Sequence, residues 1–128
     1  MRFLLDTHTF LWLTMGDKRL SDTTQEILLS DENELFFSMA SFWEMAIKSS
    51  FGKLKLADGW TSIANAELST NAIQRLPISD VHCEKVSTLP FHHRDPFDRM
   101  LIAQAITENI SILSKDKIFS EYGIECIW

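Results

Sequence analysis

Short strand candidates, each three or four residues long and beginning and ending on apolar residues, recur between stretches with helical periodicity. They are Phe3 to Leu5, Leu35 to Phe37, Ile73 to Leu76, Ile110 to Leu113 and Ile124 to Ile127. Short apolar strands of this kind belong in a sheet covered on both faces. Strands separated by helices predict a parallel one. The expected class is therefore α/β, a three-layer sandwich with a central parallel sheet between helices. Helices are expected from Thr7 to Leu13 (ending near Gly16), after the Ser21-Asp22-Thr23-Thr24 start signal, and from a cap at Ser38 or Ser41 to Gly52. Others are expected from Trp60 to Leu68, from Ser79 to Val86, and from Asp95-Pro96 to about Glu108. At that last start the aspartate caps and the proline suits the first turn.

With 128 residues and no linker, repeat or low-complexity stretch, one domain spanning 1–128 is expected, and it is long enough for a hydrophobic core. No apolar run approaches the length of a membrane span. The start, Met1-Arg2-Phe3-Leu4-Leu5-Asp6, meets a charge too early for a secretory signal. Cys83 and Cys126 are far apart and lack ligand spacing, so they read as reduced thiols of a cytoplasmic protein. The net charge of −6 argues against a general affinity for nucleic acid. Basic residues nevertheless gather locally, at Lys48, Lys53 and Lys55 and at His92, His93, Arg94 and Arg99. Alone, those groups read as solvated surface.

Four acids stand where strands end or helices begin. Asp6 closes the first apolar run and Asp116 follows the fourth. Glu44 interrupts Phe42 to Ile47, and Asp98 opens the helix after Asp95. Each has a plain structural explanation. Asp6 serves as an N-cap, Glu44 completes a capping box from Ser41 or pairs with Lys48, Asp98 favours the helix dipole, and Asp116 caps a turn. Together they say more, because ligands bind at the carboxyl edge of an open α/β sheet. Two carboxylates about 5 Å apart repel by roughly 3 kcal/mol at an effective dielectric of about 20. A divalent cation is the usual reason for such a gathering. Magnesium takes oxygen ligands and keeps several waters, which suits in-line displacement at phosphorus. No glycine-rich phosphate loop or nucleophile elbow is present, and His92-His93 lacks the helical spacing of zinc hydrolases. Trp12, Phe36, Phe37, Phe42 and Trp43 are mostly core candidates.

The motifs in order are Leu4-Leu5-Asp6-Thr7-His8, then Ser41-Phe42-Trp43-Glu44-Met45-Ala46-Ile47-Lys48 with Gly52-Lys53-Leu54. The long run Leu89-Pro90-Phe91-His92-His93-Arg94-Asp95-Pro96-Phe97-Asp98-Arg99 continues to Ala105, and Ser114-Lys115-Asp116 precedes Phe119 and Tyr122. These resemble the PIN-domain family, specifically VapC-type toxins of type II toxin–antitoxin pairs. The resemblance covers essentially the whole chain. It implies a Mg2+- or Mn2+-dependent endoribonuclease with Asp6, Glu44, Asp98 and Asp116 as catalytic and metal-binding acids, and Asp95 as a helix cap. It also implies a homodimer and a VapB-like antitoxin that occludes the acids. Operator DNA would be bound only through that antitoxin. Thr7 and Ser114 are expected to orient neighbouring carboxylates. Arg99, Lys48 and His93 are candidates for RNA phosphate contacts. A different class stays open: an acidic pocket that receives a basic partner segment with little hydrolysis. A deoxyribonuclease fits less well, because nothing in the chain would thread a DNA flap.

Overall fold

A computed structural model describes residues 1–128. The chain runs β1 (Arg2–Leu5), α1 (Thr7–Met15), α2 (Asp22–Leu29), β2 (Glu34–Ser38), α3 (Met39–Ser50), α4 (Trp60–Thr70) and β3 (Ile73–Leu76). It continues with α5 (Asp80–Thr88), α6 (Pro96–Glu108), β4 (Ser111–Leu113), a 3-10 turn (Lys117–Tyr122) and β5 (Cys126–Ile127). All five strands pair in parallel in the order β3-β2-β1-β4-β5. The expected parallel sandwich is present. The last strand is shorter than expected, because Ile124 lies in the turn before it, buried but unpaired.

Successive strand side chains point to opposite faces of the sheet. Phe3, Leu5, Leu35, Phe37, Ile73 and Leu113 therefore join one core with Phe10, Leu28, Met45 and Leu68 of α1 to α4. Leu4 and Ile112, paired across the sheet, join the other with Leu101, Ile102 and Ala105 of α6 and Phe119. The two cores explain the apolar runs of β1, β2 and β4, whose alternate residues serve different layers, whereas Gln74 and Arg75 of the edge strand β3 are exposed.

Strand order also fixes the useful edge. The chain steps outward through β2 and β3, then returns to the far side of β1 with β4, so order reverses between β1 and β4. Loops leaving the carboxyl ends of those two strands diverge and leave a crevice. The ladder continues into that crevice. The Asp6 amide donates to the Leu113 carbonyl at 3.2 Å, and the Ser114 amide to the Ile127 carbonyl at 3.1 Å.

Candidate active site

Asp6 sits at the end of β1 and caps α1. Its Oδ1 accepts the Thr9 amide at 2.8 Å, and its Oδ2 accepts the Ser114 hydroxyl at 2.5 Å. Ser114 in turn accepts the Asp116 amide at 3.0 Å. One hydroxyl thus ties the loop after β1 to the loop after β4. Asp116 caps the 3-10 turn by accepting the Ile118 amide at 3.0 Å. The capping readings of both acids hold, and both carboxylates also line one hollow with His8, Trp12 and Lys115.

Glu44 lies inside α3 and is buried. Ser38 caps that helix, through the Ala40 amide at 3.0 Å, so no capping box links Ser41 to Glu44. Thr7 Oγ1 instead donates toward Glu44 Oε1 at 2.6 Å and lies 2.9 Å from the Ser41 hydroxyl. Lys48, one turn on, pairs with Glu44 Oε2. Lys48 and Lys53 line a depression beside Glu44 and His8.

Asp98 projects from the first turn of α6. Asp95 caps this helix through the Phe97 and Asp98 amides at 2.9 and 3.0 Å. The Asp98 Oδ2 lies 2.7 Å from His93 Nε2. Ligand atoms of His93, Asp98 and Asp116 all fall within 4.8 Å of one another. The structure therefore gathers Asp98 and Asp116 around an imidazole. Asp6 and Glu44 lie outside that set: Ser114 ties Asp6 to the neighbouring loop, and the Glu44 charge acts on Asp98 from α3.

The electrostatics follow from burial. Burial pushes Asp6 above the ordinary carboxylate range, against hydrogen bonds from Ser114 and Thr9. Asp98 is pushed up to about 6, chiefly by burial; His93 opposes this, while Asp95 and Glu44 add repulsion. Burial pulls Lys48 down, but its bond to Glu44 and the nearby acids outweigh that and raise it. The Cys126 thiol rises to about 11 through burial and the charges of Asp6 and Asp116, so it is inert at neutral pH. Buried acids that resist ionisation need a positive partner. Several carboxylate oxygens with one imidazole are a donor set that fits a divalent cation.

Three expectations need correction. Arg99 offers nothing to a phosphate. It is buried, with its guanidinium donating to the carbonyls of Val86, Leu89, Pro90 and His93 at 2.9–3.3 Å. Trp43 is no core residue: it is 60% exposed and packs edge-on against Phe97. His93, a candidate phosphate contact, turns its ring toward Asp98 rather than outward. Sequence reasoning passed over His8 and Lys115, which flank the hollow holding Asp6 and Asp116. Their positions, two after Asp6 and one before Asp116, were the available signal.

Comparison with known proteins gives the same frame. VapBC2 from Rickettsia felis, solved with a DNA fragment from its promoter, superposes with a TM-score of 0.75 at 16% identity, covering 99% of this chain and 98% of that one. VapBC-1 from nontypeable Haemophilus influenzae gives 0.65 at 16%, covering 99% and 97%. FitAcB from Neisseria gonorrhoeae gives 0.66 at 14%, covering 98% and 96%. At such identities the likeness is one of fold. No curated protein matches the sequence. The family model described as PIN domain matches residues 3–125, which hold four of the five strands and every acid discussed above, and the chain belongs to that family.

Proposed function

We propose that this chain is a metal-dependent endoribonuclease and the toxin half of a type II toxin–antitoxin pair. The observation that carries the reading is the convergence of Asp98, Asp116 and His93, with Asp6 tethered alongside, at the carboxyl edge of a PIN-domain sheet. Asp6, Asp98, Asp116 and Glu44 would hold Mg2+ or Mn2+. Such an ion supplies positive charge for in-line attack of water on an RNA phosphodiester. Thr7 and Ser114 keep the carboxylates of Glu44 and Asp6 aimed. Lys48 and Lys53, with His8 and Lys115, form a basic rim able to meet the RNA backbone around an acidic centre.

The partner reading rests on the neighbours, which include VapBC assemblies and a toxin–antitoxin complex from Klebsiella pneumoniae. A VapB-like antitoxin would place a basic side chain among the acids, as Lys48 already does at Glu44. Operator DNA would be reached only through that partner, and the toxin would pair as a homodimer in the cytoplasm. No helix is long and apolar enough to cross a membrane.

The test is cleavage of total RNA by purified, antitoxin-free protein with Mg2+, Mn2+ or chelator, beside Asp6→Asn. Discrete metal-dependent fragments that vanish in the variant are expected. A folded wild type that cuts nothing, yet binds a basic segment tightly, would instead support the acidic docking pocket. Preference for a DNA competitor would replace ribonuclease with deoxyribonuclease.

A further inference from the structure

We infer that His93 is a direct nitrogen ligand of the cation site, and that it tilts the site toward Mn2+ over Mg2+. This rests on the metal-dependent reading above and assigns to the site a donor other than the four acids.

Geometry carries the assignment. The His93 Nε2 lies 2.7 Å from Asp98 Oδ2, and Asp116 completes a set of ligand atoms within 4.8 Å. Adjacent ligands on an ion bound at about 2.1 Å stand roughly 3 Å apart. The imidazole and the Asp98 carboxylate already have that spacing. The His93 ring is also placed by its loop. Its amide donates to the Tyr122 hydroxyl at 2.9 Å, and that hydroxyl donates to the Pro90 carbonyl at 2.8 Å. Its carbonyl accepts from Arg99 at 3.1 Å, and the same guanidinium grips Val86, Leu89 and Pro90. A buried cation and a tyrosine clamp the backbone on both sides of one histidine. A ring packed only as surface has no use for such support.

The ring has the tautomeric freedom that ligation requires. Its Nε2 faces Asp98, an arrangement that a proton on Nε2 would satisfy, and its Nδ1 has no protein partner. With Nε2 on a cation, the ring proton would reside on Nδ1, with no net change in protonation. Mg2+ prefers oxygen donors, whereas an imidazole raises affinity for first-row transition ions. Arg99 and Tyr122 are then positioning residues for this ligand.

The experiment measures Mn2+ and Mg2+ binding by calorimetry in the full chain, with pulsed electron spin resonance of bound Mn2+ in protein carrying 15N-histidine. Wild type is expected to show nitrogen coupling that changes with the isotope. His93→Gln, which keeps an N–H able to reach Asp98, is expected to lose the coupling and to lose Mn2+ affinity by at least about tenfold. Loss of an outer hydrogen-bond partner alone costs roughly 10- to 100-fold. Mg2+ binding should fall less, so the Mn2+/Mg2+ ratio narrows. Bound Mn2+ without nitrogen coupling, or full Mn2+ affinity in His93→Gln, would overturn the ligand role while leaving the nuclease reading intact. No binding of either ion to wild type would overturn both.

Discussion

Two imidazole–carboxylate pairs have nearly the same length and opposite surroundings. His82 Nε2 lies 2.8 Å from Glu108, and His93 Nε2 lies 2.7 Å from Asp98. The His82 ring is 2% exposed, and its Nδ1 accepts the Ser79 amide at 3.0 Å, closing a capping box at the start of α5. Both of its nitrogens are committed to the fold. The His93 ring is 23% exposed, commits one nitrogen, and faces a second carboxylate, Asp116. The contact distance does not separate a structural pair from one proposed to be functional. What separates them is whether the remaining valence of each group is already satisfied, and whether further charges of one sign crowd around it.

The largest expected difference is in catalysis. Asp98→Asn should lower RNA cleavage by roughly 100-fold or more, because the lost charge is one of those proposed to hold the cation. Glu108→Gln should leave the rate within about threefold; comparable losses in both variants would erase the distinction. Stability should show the reverse order. His82→Ala removes a buried ring and strands the Ser79 amide, at a cost of about 2–4 kcal/mol. Thermal unfolding should then fall by roughly 10 °C, while His93→Ala shifts it by little.

Asp98 sharpens the contrast through pH. Its carboxyl is held up to about 6 in the fold against an ordinary 3.8, so ionising it weakens the folded state. The stabilisation is complete below about 3.8 and is lost as pH rises through 6. Asp98→Asn should therefore stabilise the metal-free protein by on the order of 1–3 kcal/mol at pH 7.5 and by almost nothing near pH 4. A gap that grows as pH falls would mean that the carboxylate is favoured by the fold. The smallest effect belongs to the neighbouring cap. Asp95→Ala should cost about 1 kcal/mol in chemical denaturation at any pH from 6 to 8. A pH-dependent loss would assign Asp95 to the cluster rather than to the helix.

The fold was legible because its signals are local. Short apolar runs, the Asp95-Pro96 start and the Ser21 cap each state their own structure, and all appear, with only the last two strands starting later than expected. The gathering of acids was legible only as a pattern, since each acid also has the capping or pairing role that its sequence neighbours suggest. Asp6 caps α1 while also bonding Ser114 across the sheet. Side-chain direction was not legible. Arg99 and Asp98 are adjacent in sequence, yet one faces the carbonyls beyond α5 and the other faces His93. That choice is made by packing of α6 on α5, a tertiary fact. Lys48 and Glu44 sat at a spacing that predicts a pair, and the pair is present.

The hydroxyl bridge between Ser114 and Asp6 joins residues 108 positions apart. Until β4 docks beside β1, Asp6 has no such partner, and Asp116 has no fixed place at all. If the proposed nuclease reading holds, a growing chain on the ribosome carries Asp6 and Glu44 for most of its synthesis without the geometry that would act on the RNA around them. In that reading, the distant pairing of β4 with β1 is also the step that arms the site.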